Sequence, residues 1–256
     1  MDLNGAAAVI TGGASGIGAA AARALTNCGA RCLLIDLNEE LGKQVAADLD
    51  GIYVHADVAD ADAVARAVDA AADLGPLRAA VNAAGIGNAI RTVDRDGAPF
   101  PLEKFEKVLR VNLVGTFNCL RLEAAAMART EPVGPDGARG AIVNLASVAA
   151  FDGQIGQASY AASKGGIVGM TLPIARDLSH YGIRLNTIAP GLIDTPMWGR
   201  GERAEAFKAG LGQNVLFPRR LGTADELASM VVELVTNDYM NGEVVRVDGG
   251  IRMPPR

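Results

Sequence analysis

Tyr160 and Lys164, within Ser159-Tyr160-Ala161-Ala162-Ser163-Lys164, are the residues whose types and spacing bear most directly on chemistry. Positions four apart on a helix share a face at about 5–6 Å, so an ammonium can sit below a phenol and favour its phenolate. Such a pair takes a hydroxyl proton in one direction and returns it in the other. The spacing alone is a weak sign, because most such pairs are merely half-exposed helix residues. Ser147 upstream and a glycine-rich turn at the start of the chain raise it.

That turn is Thr11-Gly12-Gly13-Ala14-Ser15-Gly16-Ile17-Gly18, directly after an apolar run and opening into an Ala-rich helix. Glycines serve where backbone must turn tightly and approach a pyrophosphate, whose charge the helix N-terminus stabilises. Gly12, Ser15, Gly16, Ile17 and Gly18 are therefore candidate dinucleotide contacts, against the plainer reading of a Gly-rich turn. Asp36, about twenty residues on, can accept hydrogen bonds from an adenine-ribose diol and repel a 2′-phosphate, which favours NAD over NADP. Arg31 and Lys43 lie near enough in sequence to oppose that choice, and Asp36 could instead cap the following helix. Asp57-Val58 and Asn82-Ala83-Ala84-Gly85 end the third and fourth strands on the same side. Asp57 suits an adenine amine, Val58 a ring face, and the small residues at 83–85 a close backbone approach to ribose. Each could equally be a helix cap or a tight turn.

The elements that must position these groups alternate. Apolar runs at Ala7–Thr11, Arg31–Ile35, Gly51–His55, Ala79–Asn82, Ala141–Leu145, Arg184–Ile188 and Glu243–Val247 read as strands. Helical stretches lie at Gly16–Asn27, Glu39–Leu49, Ala61–Leu74, Leu102–Arg129, Ala158–Tyr181 and Ala224–Thr236. Alternation of this kind predicts a doubly wound α/β fold, a parallel seven-stranded sheet with helices on both faces. No linker or repeat divides residues 1–256, so one domain is expected, with a cofactor half over roughly 1–145 and a catalytic and substrate half over roughly 146–256. Residues 87–101 and 130–140 read as surface loops, and 191–221 as an irregular substrate lid after a strand end.

A chain of 256 residues that is 50% hydrophobic has ample material for a core. Its net charge of −5, with no dense basic run, argues against a nucleic-acid surface. Cys28, Cys32 and Cys119 are odd in number and scattered, and read as reduced core thiols. His55 and His180 are the only histidines, so no metal site is expected. The strand at Ala7 follows the N-terminus too closely for a leader, and no apolar run is long enough to span a membrane. The expectation is a cytoplasmic chain with no membrane partner.

Taken in order, TGGASGIG at 11–18, NAAG at 82–85, Asn112, Ser147, YAASK at 160–164 and PG at 190–191 resemble the short-chain dehydrogenase/reductase family over almost the whole chain. The resemblance implies that Tyr160 is the general acid/base for a hydride transfer. It also implies that Lys164 lowers the phenol pKa and bonds the nicotinamide ribose, that Ser147 orients the substrate oxygen, and that Asn112 holds a water leading from Lys164 to solvent. Pro190, Gly191, Ile193 and Thr195 match the turn that meets the nicotinamide carboxamide. Within the family, the segments at 91–105, 146–179 and 241–256 resemble type II 3-hydroxyacyl-CoA dehydrogenases, which implies NAD-dependent interconversion of (3S)-hydroxyacyl-CoA and 3-oxoacyl-CoA. A secondary alcohol or hydroxysteroid dehydrogenase, a 3-oxoacyl carrier-protein reductase, and a non-catalytic NAD-binding protein remain as alternatives. Gln157, one turn before Tyr160, and Met197, Trp198, Phe207 and Leu211 are candidate substrate contacts; Val215, Leu216 and Phe217 could join them, with Arg200, Arg203 or Lys208 near a CoA phosphate. The helices around 102–129 and 158–181 resemble the family's interface helices, which implies a homotetramer.

Overall fold

The computed structural model describes residues 1–196, 199 and 201–255. The first half runs β1 (Ala7–Thr11), α1 (Gly16–Asn27), β2 (Arg31–Asp36), α2 (Glu39–Asp48), β3 (Ile52–His55), α3 (Ala61–Ala70), β4 (Leu77–Asn82), α4 (Leu102–Leu109) and α5 (Thr116–Ala128). The second runs β5 (Gly140–Leu145), α6 (Ala158–Leu178), β6 (Ile183–Pro190), β7 (Ile193–Asp194), α7 (Glu202–Gly212), β8 (Gly222–Thr223), α8 (Ala224–Thr236) and β9 (Val244–Val247).

Seven strands form one parallel sheet in the order β3-β2-β1-β4-β5-β6-β9. β1, β4, β5 and β6 are buried along their whole length, as a sheet covered on both faces requires. The two-residue period of a strand sends alternate side chains to opposite cores. Ala8 and Ile10 join Leu25 of α1 and Leu227 and Val231 of α8, whereas Ala7 and Val9 join Val64 of α3 and Leu120 of α5. Strand order reverses between β1 and β4, and their carboxyl ends open the crevice where ligands bind in such sheets. No helix among the described residues is long and apolar enough to cross a membrane.

Several expectations need correction. The stretch 102–129 is not one helix, because a π-helical turn at Arg110–Gly115 joins α4 to α5 and carries Asn112. Residues 91–100 do form an exposed loop, folded back where Val93 bridges Pro99 and Asp94 Oδ1 accepts from the amides of Asp96 and Ala98. The described residues of 191–221 are not all irregular: β7 pairs with β8, and α7 is tied back by Lys208, whose Nζ lies 2.8 Å from both Asp194 and Glu205. Cys32 and Cys119 are buried, but Cys28 is only half-buried at the end of α1.

Candidate active site

The glycine turn is built so that no side chain fits. Gly12 has φ +67°, and a Cβ there would stand 2.8 Å from the Ala84 amide nitrogen. A Cβ on Gly18 would stand 2.2 Å from the Gly12 carbonyl oxygen. These clashes reflect backbone packed on backbone at Gly12 and Gly18. Ser15 sits at the N-cap without making a side-chain cap bond, and no acidic residue occupies the first turn. The amides of that turn and the positive end of the helix are thus available to an anion. Thr195 lies over the turn, its methyl 3.4 Å from where a Gly16 Cβ would be. A cradle of backbone donors with no acidic residue in the first helical turn fits the pyrophosphate of a dinucleotide.

Asp36 ends β2 beside this turn. Its Oδ2 accepts from the Ala14 amide at 3.0 Å and its Oδ1 from the Asn38 amide at 2.9 Å, so the carboxylate is oriented by backbone and keeps acceptor capacity for a diol. The cap of α2 is Asn38 rather than Asp36. The two nearby cations are engaged elsewhere: Arg31 donates to the Leu74 carbonyl, and Lys43 pairs with Glu39. Asp57 Oδ1 accepts from the Ala59 amide in a local turn. Val58 is 6% exposed and packed against Gly115 of the π turn, so its side chain belongs to the core and only its backbone is offered to a ligand. Asn82 likewise turns inward, to Glu123 and Asn144, and leaves contact to the backbone that follows it. The Ala83 and Ala84 amides are held by the Thr11 carbonyl and hydroxyl, both at 3.2 Å.

The proton-transfer group is assembled from four elements. Ser147 follows β5; its Oγ accepts from the Ala149 amide at 3.1 Å and stands near enough to Tyr160 to oppose the rise in the phenol pKa. Lys164, one turn along α6, is 4% exposed and sits 5.8 Å from the centre of the Tyr160 ring. Its Nζ donates to the Leu145 carbonyl at 2.7 Å, a partner the residue spacing did not announce. Asn112 is fully buried in the π turn: its Oδ1 accepts from the Ile86 amide and its Nδ2 donates to the Ile86 carbonyl, each at 2.8 Å, and to Ser163 Oγ at 3.1 Å. The Asn112 side chain is therefore a clamp between the 83–87 loop and α6. Gly85 lies against both, with its would-be Cβ 3.2 Å from Asn112 Oδ1 and 3.6 Å from Lys164 Nζ.

The electrostatics of the pair are set first by burial. Burial raises the Tyr160 pKa, and Ser147 only partly offsets it. Burial also brings Lys164 down to about 8. With only the chain's own groups present, Tyr160 is a protonated phenol at neutral pH, poised as an acid. An ammonium favours a phenolate only while it remains charged itself.

The turn after β6 runs from Pro190 to Gly191, whose amide donates to the Val247 carbonyl. Ile193 is 6% exposed, packs in the core and pairs with Gly222, so its side chain does not face the crevice. Gln157 uses its Oε1 to accept from the Gln154 amide, so the side-chain NH2 is what it can present to a substrate. Phe207 is exposed and Leu211 half-buried on α7; Met197, Trp198 and Arg200 lie outside the described residues. Val215 closes a small core with Val148 and Ile251, while Leu216 and Phe217 are exposed. Lys208 is already paired with two carboxylates and is a poor phosphate ligand.

Residues 12–252 match a short-chain dehydrogenase/reductase family described as enoyl-(acyl carrier protein) reductase. The 3-hydroxyacyl-CoA dehydrogenase type-2 of Drosophila melanogaster is 47% identical over 99% of this chain and all of its own length. The protein of that name from Homo sapiens is 48% identical over 99% of this chain and 97% of its own. Among solved structures, a 3-hydroxyacyl-CoA dehydrogenase type-2 from Mycobacterium avium superposes with a TM-score of 0.94 at 45% identity, covering 100% of this chain and 99% of that one.

Proposed function

The chain belongs to the short-chain dehydrogenase/reductase family and is an oxidoreductase using a nicotinamide cofactor, and from that premise we propose that it interconverts (3S)-hydroxyacyl-CoA and 3-oxoacyl-CoA with NAD. The observation that carries the chemistry is the placing of Tyr160 with Lys164 5.8 Å from its ring and Ser147 near enough to act on its hydroxyl, at the crevice lined by the glycine turn. Bound in that cradle, the dinucleotide supplies the hydride donor or acceptor. Ser147 and Tyr160 hold the substrate oxygen between two hydroxyls. In reduction Tyr160 gives its proton to that oxygen; in oxidation it takes the proton back. Lys164, anchored on Leu145, bonds the ribose and supplies positive charge below about pH 8. Pro190, Gly191, Ile193 and Thr195 meet the nicotinamide end through backbone and the Thr195 hydroxyl. Asp57 and the Val58 backbone meet the adenine, and Ala83 and Gly85 its ribose side. Gln157 and α7 contact the substrate, with 191–221 serving as the lid.

The choice of NAD is supported by Asp36, which is oriented by two amides, while Arg31 and Lys43, the cations nearest it in sequence, are engaged elsewhere. The choice of acyl-CoA is supported by the names of full-length relatives at 47–48% identity. Acetoacetyl-CoA should be reduced with NADH at a kcat/KM at least about tenfold above that with NADPH, since 1.4 kcal/mol of carboxylate–phosphate repulsion already gives that ratio. Inert acetoacetyl-CoA alongside oxidation of a steroid alcohol would overturn the substrate class.

A homotetramer is supported by exposed apolar side chains on the helices that resemble interface elements. Leu102 of α4, Val114 and Phe117 of the following turns and Leu172 of α6 are each 46–66% exposed. Sedimentation velocity should give a species of about four chain masses; a monomer at micromolar concentration would refute it.

A further inference from the structure

We infer that Glu123 is a neutral carboxylic acid that closes a two-armed pair with the Asn82 amide and so positions the 82–85 turn. Asn82 on β4 stands opposite Asn144 on β5, and Glu123 of α5 comes down onto both. Glu123 is fully buried, and among the described residues no cation pairs with it. Asn82 Nδ2 donates to Glu123 Oε2 at 2.9 Å and to Asn144 Oδ1 at 3.1 Å. Two acceptors of the same pair, Asn82 Oδ1 and Glu123 Oε1, are left buried and without a partner, as is Asn144 Nδ2.

An amide and an ionised carboxylate can make only one arm of such a pair. A proton on Oε1 makes the second, from the acid hydroxyl to Asn82 Oδ1, and removes both orphans. Turning the amides over does not avoid the proton, because an amide oxygen would then face Oε2. Burial pushes the carboxyl up to about 8, with the Asn82 bond the sole opposing influence. Charged groups on the surrounding elements point elsewhere. Arg78 of β4 binds Thr130, Glu131 and Arg139; Asp62, Arg66 and Asp69 of α3 and Arg110 of the π turn are exposed; Arg184 of β6 binds the end of α8. The ionisable neighbour that responds to Glu123 is the buried Cys119 thiol one turn earlier.

The turn held in this way abuts Gly12 through Ala84 and Lys164 through Gly85. Its consequence for dinucleotide binding rests on the function proposed above; the protonation state does not. The carboxyl is raised above its ordinary 4.5, so its contribution to stability is complete below that pH and is lost as pH rises through about 8.

The test compares wild type with Glu123→Gln, whose amide NH2 can replace the acid hydroxyl as donor. Infrared difference spectra at pH 6.5 should show a protonated-carboxyl C=O band in the wild type that the variant lacks. The wild-type folded-to-unfolded ratio, relative to the variant's, should fall about tenfold per pH unit between pH 5 and 8. NAD titrated by fluorescence should bind the wild type progressively more weakly above pH 8 than it binds the variant. Identical infrared spectra, or parallel stability curves, overturn the neutral acid. A ratio of NAD Kd values independent of pH overturns the positioning role. If neither protein binds NAD while the infrared band is present, the cofactor reading fails and the neutral acid stands.

Discussion

Tyr160→Phe should lower turnover by about a thousandfold, within the 10²–10⁴ that a positioned general acid or base contributes. The substitution removes one oxygen and leaves the ring, which packs in a site where the would-be Cβ of Gly87 is 3.8 Å away. Ser147 keeps its bond from the Ala149 amide, and Lys164 keeps its bond to Leu145, so neither neighbour loses its anchor. Dinucleotide binding should therefore stay within about twofold of wild type, because the lost hydroxyl serves the substrate oxygen and not the cradle. Stopped-flow turnover and a fluorescence titration separate the two effects. Near-wild-type turnover in the phenylalanine variant would remove Tyr160 from proton transfer and leave Ser147 as the nearest hydroxyl.

The parts of the site that were legible in the sequence are those where chemistry demands a residue type at a short spacing. Gly12 and Gly18 show as glycines because backbone occupies the space of a side chain, and Tyr160 and Lys164 show because one helical turn separates them. Side-chain direction was not legible where a strand is buried on both faces. Asn82 ends such a strand, and its amide turns to Asn144 on the neighbouring strand instead of the crevice. Val58, in the turn after β3, and Ile193, in the short β7, also point into the core. The break in helix 102–129 escaped because the apolar pattern continues through it. Its physical origin is the Asn112 clamp on Ile86, a contact between residues 26 apart.

α7 escaped for the opposite reason: ERAEAFKAGLG has too few apolar residues to mark a helical stripe, and the helix is secured by Lys208 across to β7. Glu123 was in principle legible. Cys119, Glu123 and Met127 recur every four residues and are all fully buried, so a carboxyl stands in the middle of a core stripe. A charged residue type at a core position in helical register is a signal for a neutral acid or a hidden partner.

Gly18→Ala should abolish measurable dinucleotide affinity while leaving the sheet intact. The added methyl would sit 2.2 Å from the Gly12 carbonyl oxygen and 2.7 Å from its carbon, both backbone atoms that cannot rotate away. The turn must move, yet Gly12 itself is pinned against the Ala84 amide nitrogen and holds a positive φ. Moving it withdraws the amides at the start of α1 from the pyrophosphate. Two charge-assisted hydrogen bonds at about 1.5–3 kcal/mol each make a loss of about a hundredfold or more in Kd. The fold should survive, because α1 is held by Ala19 to Ala22 and Leu25 packing towards the sheet and α8. Gly210→Ala in α7 is the matched control: nothing lies within 4 Å of its would-be Cβ, and alanine in a helix interior is worth about 1 kcal/mol over glycine. That variant should bind NAD as the wild type does. Circular dichroism establishes folding and fluorescence titration the affinity. Wild-type affinity in a folded Gly18→Ala protein would mean that the cradle at 12–18 is not where the phosphates bind.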